Sequence, residues 1–140
     1  MRIDVGVVTL RIGQAKSLTW DEYERKPSTS LVVLTSLGWT SNPIHQSEKA
    51  YRFDNPSWDC IFDFLCFDKA TTTVVVKLVP KVKKSAVQVV YGHISLALND
   101  LIEARDEKRE WWPLSGFPNG QIQVTAEWKP IDMNHSNICT

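Results

Sequence analysis

The 140-residue chain is predicted to be all-β: an eight-stranded antiparallel β-sandwich with one short helix. Three observations predict it. Apolar residues alternate with period two in several short runs, most clearly Cys60, Phe62, Phe64 and Cys66. Turn chemistry separates the runs, at Pro27-Ser28-Thr29-Ser30, Ser41-Asn42-Pro43, Asp54-Asn55-Pro56 and Phe117-Pro118-Asn119-Gly120. Only one segment, residues 99–109, carries helical spacing.

The elements follow in order. Residues 5–12 set Val5, Val7, Thr9 and Arg11 on one face and Gly6, Val8, Leu10 and Ile12 on the other. Residues 31–37 are β-branched and end at Gly38, and residues 49–53 form a short mixed strand. The turn Asn55-Pro56-Ser57-Trp58 empties into residues 60–67, a strand with one face committed to a core. Residues 71–79 are rich in Thr and Val and make the strongest strand. Residues 87–98 form a strand interrupted by Gly92. Asn99 is the expected N-cap of the helix, whose apolar side holds Leu98, Leu101 and Ile102. Residues 111–114 are short, and Pro113 suits an edge. Pro118-Asn119-Gly120 then signals a hairpin into residues 121–128, where Ile122, Val124, Ala126 and Trp128 share a face. The expected division is a sandwich over residues 1–132 and a disordered polar tail over 133–140.

Composition narrows the function classes. Apolar residues make up 43%, ordinary for a packed domain, and no run approaches the length of a membrane span. Residues 1–4 lack the apolar stretch of a signal peptide, so a cytosolic setting is expected. Cys60 and Cys66 lie too far apart along one strand to bridge, and Cys139 falls in the tail, so reduced cysteines are expected. No Cys-x-x-Cys or His-rich spacing suggests zinc. The 16 basic and 16 acidic residues cancel, which removes any global pull toward nucleic acid or anionic lipid. An electrostatic partner must therefore be met locally, and Lys77, Lys81, Lys83 and Lys84 form the one basic cluster free of acids.

Read in order, these stretches resemble a C2 domain of the protein kinase C, synaptotagmin and extended synaptotagmin type. The resemblance covers about residues 5–131. It is carried by the opening strand from Gly6 to Leu18, by Asn55-Pro56-Ser57-Trp58 with Phe62 and Phe64, by Tyr91-Gly92 with Ile94, Leu96 and Leu101, and by Trp112-Pro113-Leu114 with the closing strand from Gly120 to Pro130. The resemblance implies a Greek-key sandwich in which three loops at one end hold calcium and touch the bilayer. Here those loops are about residues 16–30, 53–57 and 80–88. Calcium needs six to eight oxygens, converging from more than one loop. The first loop offers Asp21, Glu22 and Glu24, and the second offers Asp54. The third, where the family places acids, reads Pro80-Lys81-Val82-Lys83-Lys84-Ser85. Like charges about 4 Å apart cost about 4 kcal/mol at an effective dielectric of 20, so a calcium-independent member is expected, with Asp21, Glu22 and Asp54 as weak metal candidates.

The resulting expectation is a module without catalysis and without a cofactor. It docks to anionic phospholipid membranes or to a protein partner, peripherally and on the cytoplasmic side. Lys81, Val82, Lys83 and Lys84 would meet lipid phosphates, with Trp20 and Tyr23 as interfacial anchors. Trp39 and Trp111 are the candidate protein-contact residues, while Trp58, Trp112 and Trp128 are expected in the core. One alternative is a protein–protein scaffold with no lipid role, and another is calcium-dependent phospholipid binding. Catalysis finds little footing, because His45, His93 and His135 have no motif context and no phosphate-cradling Gly-rich loop exists.

Overall fold

A computed structural model describes residues 5–19, 31–38, 44–50, 54–80 and 90–131. The elements are β1 (Gly6–Lys16), β2 (Leu31–Leu37), β3 (His45–Gln46), β4 (Ser57–Cys66), β5 (Thr73–Pro80), β6 (Gly92–Ala97), α1 (Leu98–Asp106), β7 (Trp111–Pro113) and β8 (Gln121–Pro130). They build two four-stranded sheets, in the orders β4-β1-β8-β7 and β3-β2-β5-β6, with every pairing antiparallel.

The period-two pattern places the core. Val8, Leu10 and Ile12 of β1, Trp58 and Phe64 of β4, and Ile122, Val124 and Ala126 of β8 point inward from the first sheet. Leu31 and Val33 of β2 and Val74, Val76 and Leu78 of β5 meet them from the second. Each such Val, Leu, Ile or Phe side chain contributes about 1.5–3 kcal/mol through its removal from water. β5 does not alternate cleanly, for a visible reason. Val75 and Val79 are buried as well, on the opposite face, beside Ser36 and Val32 of β2 respectively. A strand sheltered on both faces reads as a continuous apolar run.

The first sheet is irregular near the end where β1 finishes. Against β4, the register of β1 slips between Ile12 and Gln14; against β8 it slips between Ile12 and Ala15. Asp59 sits at the first of these slips with a φ of 45°, a left-handed conformation that Asp tolerates better than most residues. Farther round the molecule, Gly92 allows β6 to approach the β7–β8 connection. A Cβ there would lie 2.7 Å from the Ser115 carbonyl oxygen.

Two expectations are corrected. The third strand is His45–Gln46, outside the runs the sequence marks; of the expected strand over residues 49–53, Ala50 makes only a lone bridge to Leu31, and residues 51–53 fall outside the described ones. His45 is therefore a strand residue, with its ring stacked on Phe62 at 5.3 Å and set edge-on to Phe64 at 4.6 Å. Asn99 does not cap the helix. The N-cap is Ala97, with no side-chain bond, because β6 runs directly into α1 and the Leu98 N–H bonds the Thr72 carbonyl. Leu98, Leu101 and Ala104 bury the inner side of α1. The expected tail lies outside the described residues.

Candidate docking pole

The roots of the three loops meet at one end of the sandwich, and backbone hydrogen bonds join them there. The N–H of Ala15 donates to the Pro56 carbonyl at 3.0 Å, and that of Leu18 to the Asp54 carbonyl at 3.2 Å. Between them Ser17 takes a φ of 59° and turns its N–H to Asn55 Oδ1 at 3.3 Å. The start of the first loop is thus laced to the second. On the other sheet Leu31, where the first loop returns, pairs with Pro80, where the third begins. Leu31 also exchanges two backbone bonds with Ala50, at 2.9 and 2.8 Å.

Trp58 ties the two sheets at this pole. Its indole is buried, and its Nε1 donates to the Leu31 carbonyl at 3.2 Å. The Asn-Pro-Ser-Trp turn therefore does two jobs. Asn55 and Pro56 hold the first loop, and Trp58 reaches across the core to where that loop comes back. The turn was legible in the sequence; that Asn55 and Trp58 join loops to one another was not, because both partners are backbone atoms distant along the chain.

Among the expected site residues, Asp54 is described. It is exposed at the root of the second loop, where its Oδ1 accepts the Asn55 N–H at 2.9 Å. Lys81, Val82, Lys83, Lys84, Trp20, Tyr23, Trp39, Asp21 and Glu22 lie outside the described residues. Among the described residues no group of three or more His, Cys, Asp or Glu side chains is gathered in a way that would hold a metal ion. Trp111 is half-buried on the outer face of the first sheet, and Lys16, the last residue of β1, sets its ammonium 3.9 Å from the ring centroid. Such a cation–π contact contributes about 0.5–1 kcal/mol at an exposed site. Trp58 and Trp112 are buried and Trp128 is half-buried, packed against the core. Lys77 lies on β5 opposite His93, within the sheet rather than on a loop.

The cysteines behave as apolar residues. Cys60 and Cys66 are both free thiols. Burial pushes the Cys60 thiol up to about 11, assisted by the neighbouring Asp59 charge and opposed by a backbone hydrogen bond. Cys60 is thereby unsuited to nucleophilic attack near neutral pH, and Cys66 is buried.

Comparison with known proteins places this architecture. No protein-family model matches the chain. An uncharacterized protein of Schizosaccharomyces pombe is 23% identical over 133 residues, which cover 95% of this chain and 10% of that protein. The chain thus spans about a tenth of the curated relative it matches. The first of the C2 domains (domain A) of plant Extended Synaptotagmin 1 superposes with a TM-score of 0.69 at 19% identity, covering 94% of this chain and 99% of that one. The calcium-bound pair of C2 domains (domains A and B) of Extended Synaptotagmin 2 superposes with a TM-score of 0.65 at 19% identity, covering 91% of this chain and 47% of that one. Two antiparallel four-stranded sheets, one short helix and loop roots gathered at one pole agree with these likenesses: the chain folds as a C2 domain.

Proposed function

We propose that the chain is a non-catalytic docking module whose loop pole engages anionic phospholipid surfaces without calcium, as a peripheral membrane element on the cytoplasmic side. The observation that carries this reading is the pairing of Leu31 with Pro80. It roots the third loop beside the first, and Lys81, Val82, Lys83 and Lys84 follow Pro80 directly in sequence. Trp20 and Tyr23 belong to the first loop, whose other root is laced to Asp54 and Asn55. One superposable structure is calcium-bound. In this chain the third loop instead opens with lysines, which repel a divalent cation and attract phosphate. Lysines near an anionic leaflet contribute about 1 kcal/mol each, so three give weak, salt-sensitive docking that interfacial aromatics reinforce.

Sedimentation with phosphatidylserine-containing vesicles tests this. Binding is expected at low salt, equal with calcium or with a chelator, and weakened steeply at high salt. Replacing Lys81, Lys83 and Lys84 together by Gln removes about 3 kcal/mol, roughly two decades of affinity. A strict calcium requirement would overturn the calcium-independent reading. Absence of binding at low salt would overturn the lipid reading and leave a protein scaffold.

A further inference from the structure

We infer that the open edge of β4 is a second docking site, which accepts an extended polypeptide strand carrying alternating apolar and basic side chains. β4 is the outermost strand of its sheet: β1 runs along one edge, and no described strand runs along the other. From Cys60 to Cys66 its register with β1 is unbroken. Exposed edges are ordinarily blunted by lysine, proline or a bulge. This stretch contains no lysine or proline, and the bulge lies at its beginning, near Asp59. On its outer face Ile61 and Leu65 are 62% and 53% exposed, and Phe67, which follows the strand directly, is 67% exposed.

A cleft of about 450 Å³ opens beside the far half of the strand, lined by Leu37, Phe64, Leu65, Cys66, Phe67 and Thr72 among others. Residues 64–67 are consecutive and face alternately inward and outward. Its remaining lining residues are Gly38, which follows β2, and Asp68, Thr71 and Thr73 on the way into β5, so the cleft opens where β4 finishes, beside the second sheet. An incoming strand would find backbone partners along β4 and, at the far end, a recess for a side chain, the two things that strand addition uses.

Charge selects the occupant. β4 carries Asp59 and Asp63 and no basic residue; Asp68 and Lys69 follow it, and Lys69 turns its ammonium toward the Trp128 ring, 5.7 Å from the centroid. Asp59 is paired with Arg11 at 2.9 Å. Asp63 accepts a hydrogen bond from the Thr9 hydroxyl, and Asp68 accepts from the Ala70 N–H and the Thr71 hydroxyl. Neither has an ion-pair partner among the described residues. This rim favours lysine or arginine on the incoming strand, since opposite charges stabilise cross-strand pairs and like charges oppose them. The same acids disfavour an anionic leaflet, and they disfavour a second copy of β4, which would set acid near acid.

The test uses the full chain and a labelled synthetic octapeptide of alternating Val and Lys, followed by fluorescence anisotropy and by amide NMR shifts. Saturable binding is expected, with shifts concentrated on residues 61–68. Methylating alternate backbone nitrogens of the peptide, so that it cannot extend a sheet, should weaken binding at least tenfold. Asp63→Lys should also weaken it at least tenfold, and Phe67→Ser several-fold, with thermal unfolding confirming that both variants fold. Equal binding of the methylated peptide, equal binding of a Val/Glu peptide, shifts confined to the loop pole, or no binding would each overturn the inference. So would sedimentation showing that the chain alone dimerises in a manner abolished by Phe67→Ser, because the occupant would then be a second copy.

Discussion

The two ends of β4 lie in the same strand and are finished in opposite ways. At its start, Asn55, Pro56 and Trp58 commit their hydrogen-bonding groups to Ser17, Ala15 and Leu31, so three loop roots are held together. At its finish, Leu65 and Phe67 stand exposed beside a cleft, and no described strand covers the edge. The difference teaches where each kind of recognition belongs. Loops with the docking role proposed for this pole need a rigid base, and the clamp supplies it at their roots. An uncommitted edge has no such need, because its own backbone is the recognition element.

The most direct way to break the comparison is to remove the clamp. Trp58→Ala deletes a buried indole and one bond to the Leu31 carbonyl, and should cost about 3–5 kcal/mol, read by denaturant unfolding. The next test is local. Asn55→Ala withdraws the acceptor of the Ser17 N–H and should cost about 1 kcal/mol. Amide exchange should rise at residues 16–18 and stay unchanged at residues 64–67. An equal rise at both ends would show that the poles are one cooperative unit.

The cysteine offers a smaller and pH-dependent probe. The folded Cys60 thiol titrates near 11, above its usual 9.0, chiefly through burial. The unfolded chain therefore releases this proton first as pH rises. The contribution to stability is complete below about 9 and is lost between about 9 and 11. Half-exposure keeps the effect modest. Cys60→Ser, compared with the parent across that range, should show a flatter decline. The smallest effect is expected at the open end: Phe67→Ser should alter stability by no more than about 0.5 kcal/mol, because that side chain is already exposed. A larger loss would mean that the edge is part of the fold's own packing.

Much of the sandwich was legible because period-two alternation and turn residues are local signals. The Cys60, Phe62, Phe64, Cys66 face, the Pro113 edge and the Pro118-Asn119-Gly120 hairpin all follow from neighbours a few residues apart. His45–Gln46 escaped, since a two-residue strand has no period of its own and exists only because β2 offers it an edge. Asn99 misled because its capping preference is intrinsic, whereas the start of α1 is decided by where β6 ends and by the Leu98 bond to Thr72. In β4 the periodic signal lies in the even positions, and the odd ones carry none of their own. Ile61, Leu65 and Phe67 look like unremarkable strand residues until the strand proves to be an edge.

By itself the amino-acid order determined the sandwich class, the inward face of most strands and the basic charge of residues 81–84. These depend on side-chain type and short spacing, which the chain carries wherever it goes. Only the tertiary structure decided that Leu31 lies against Pro80 and under Trp58, and that β4 lies at the margin of its sheet. Those are facts of strand order and register. They arise from pairings between residues tens of positions apart, where burying the whole core outweighs any local preference.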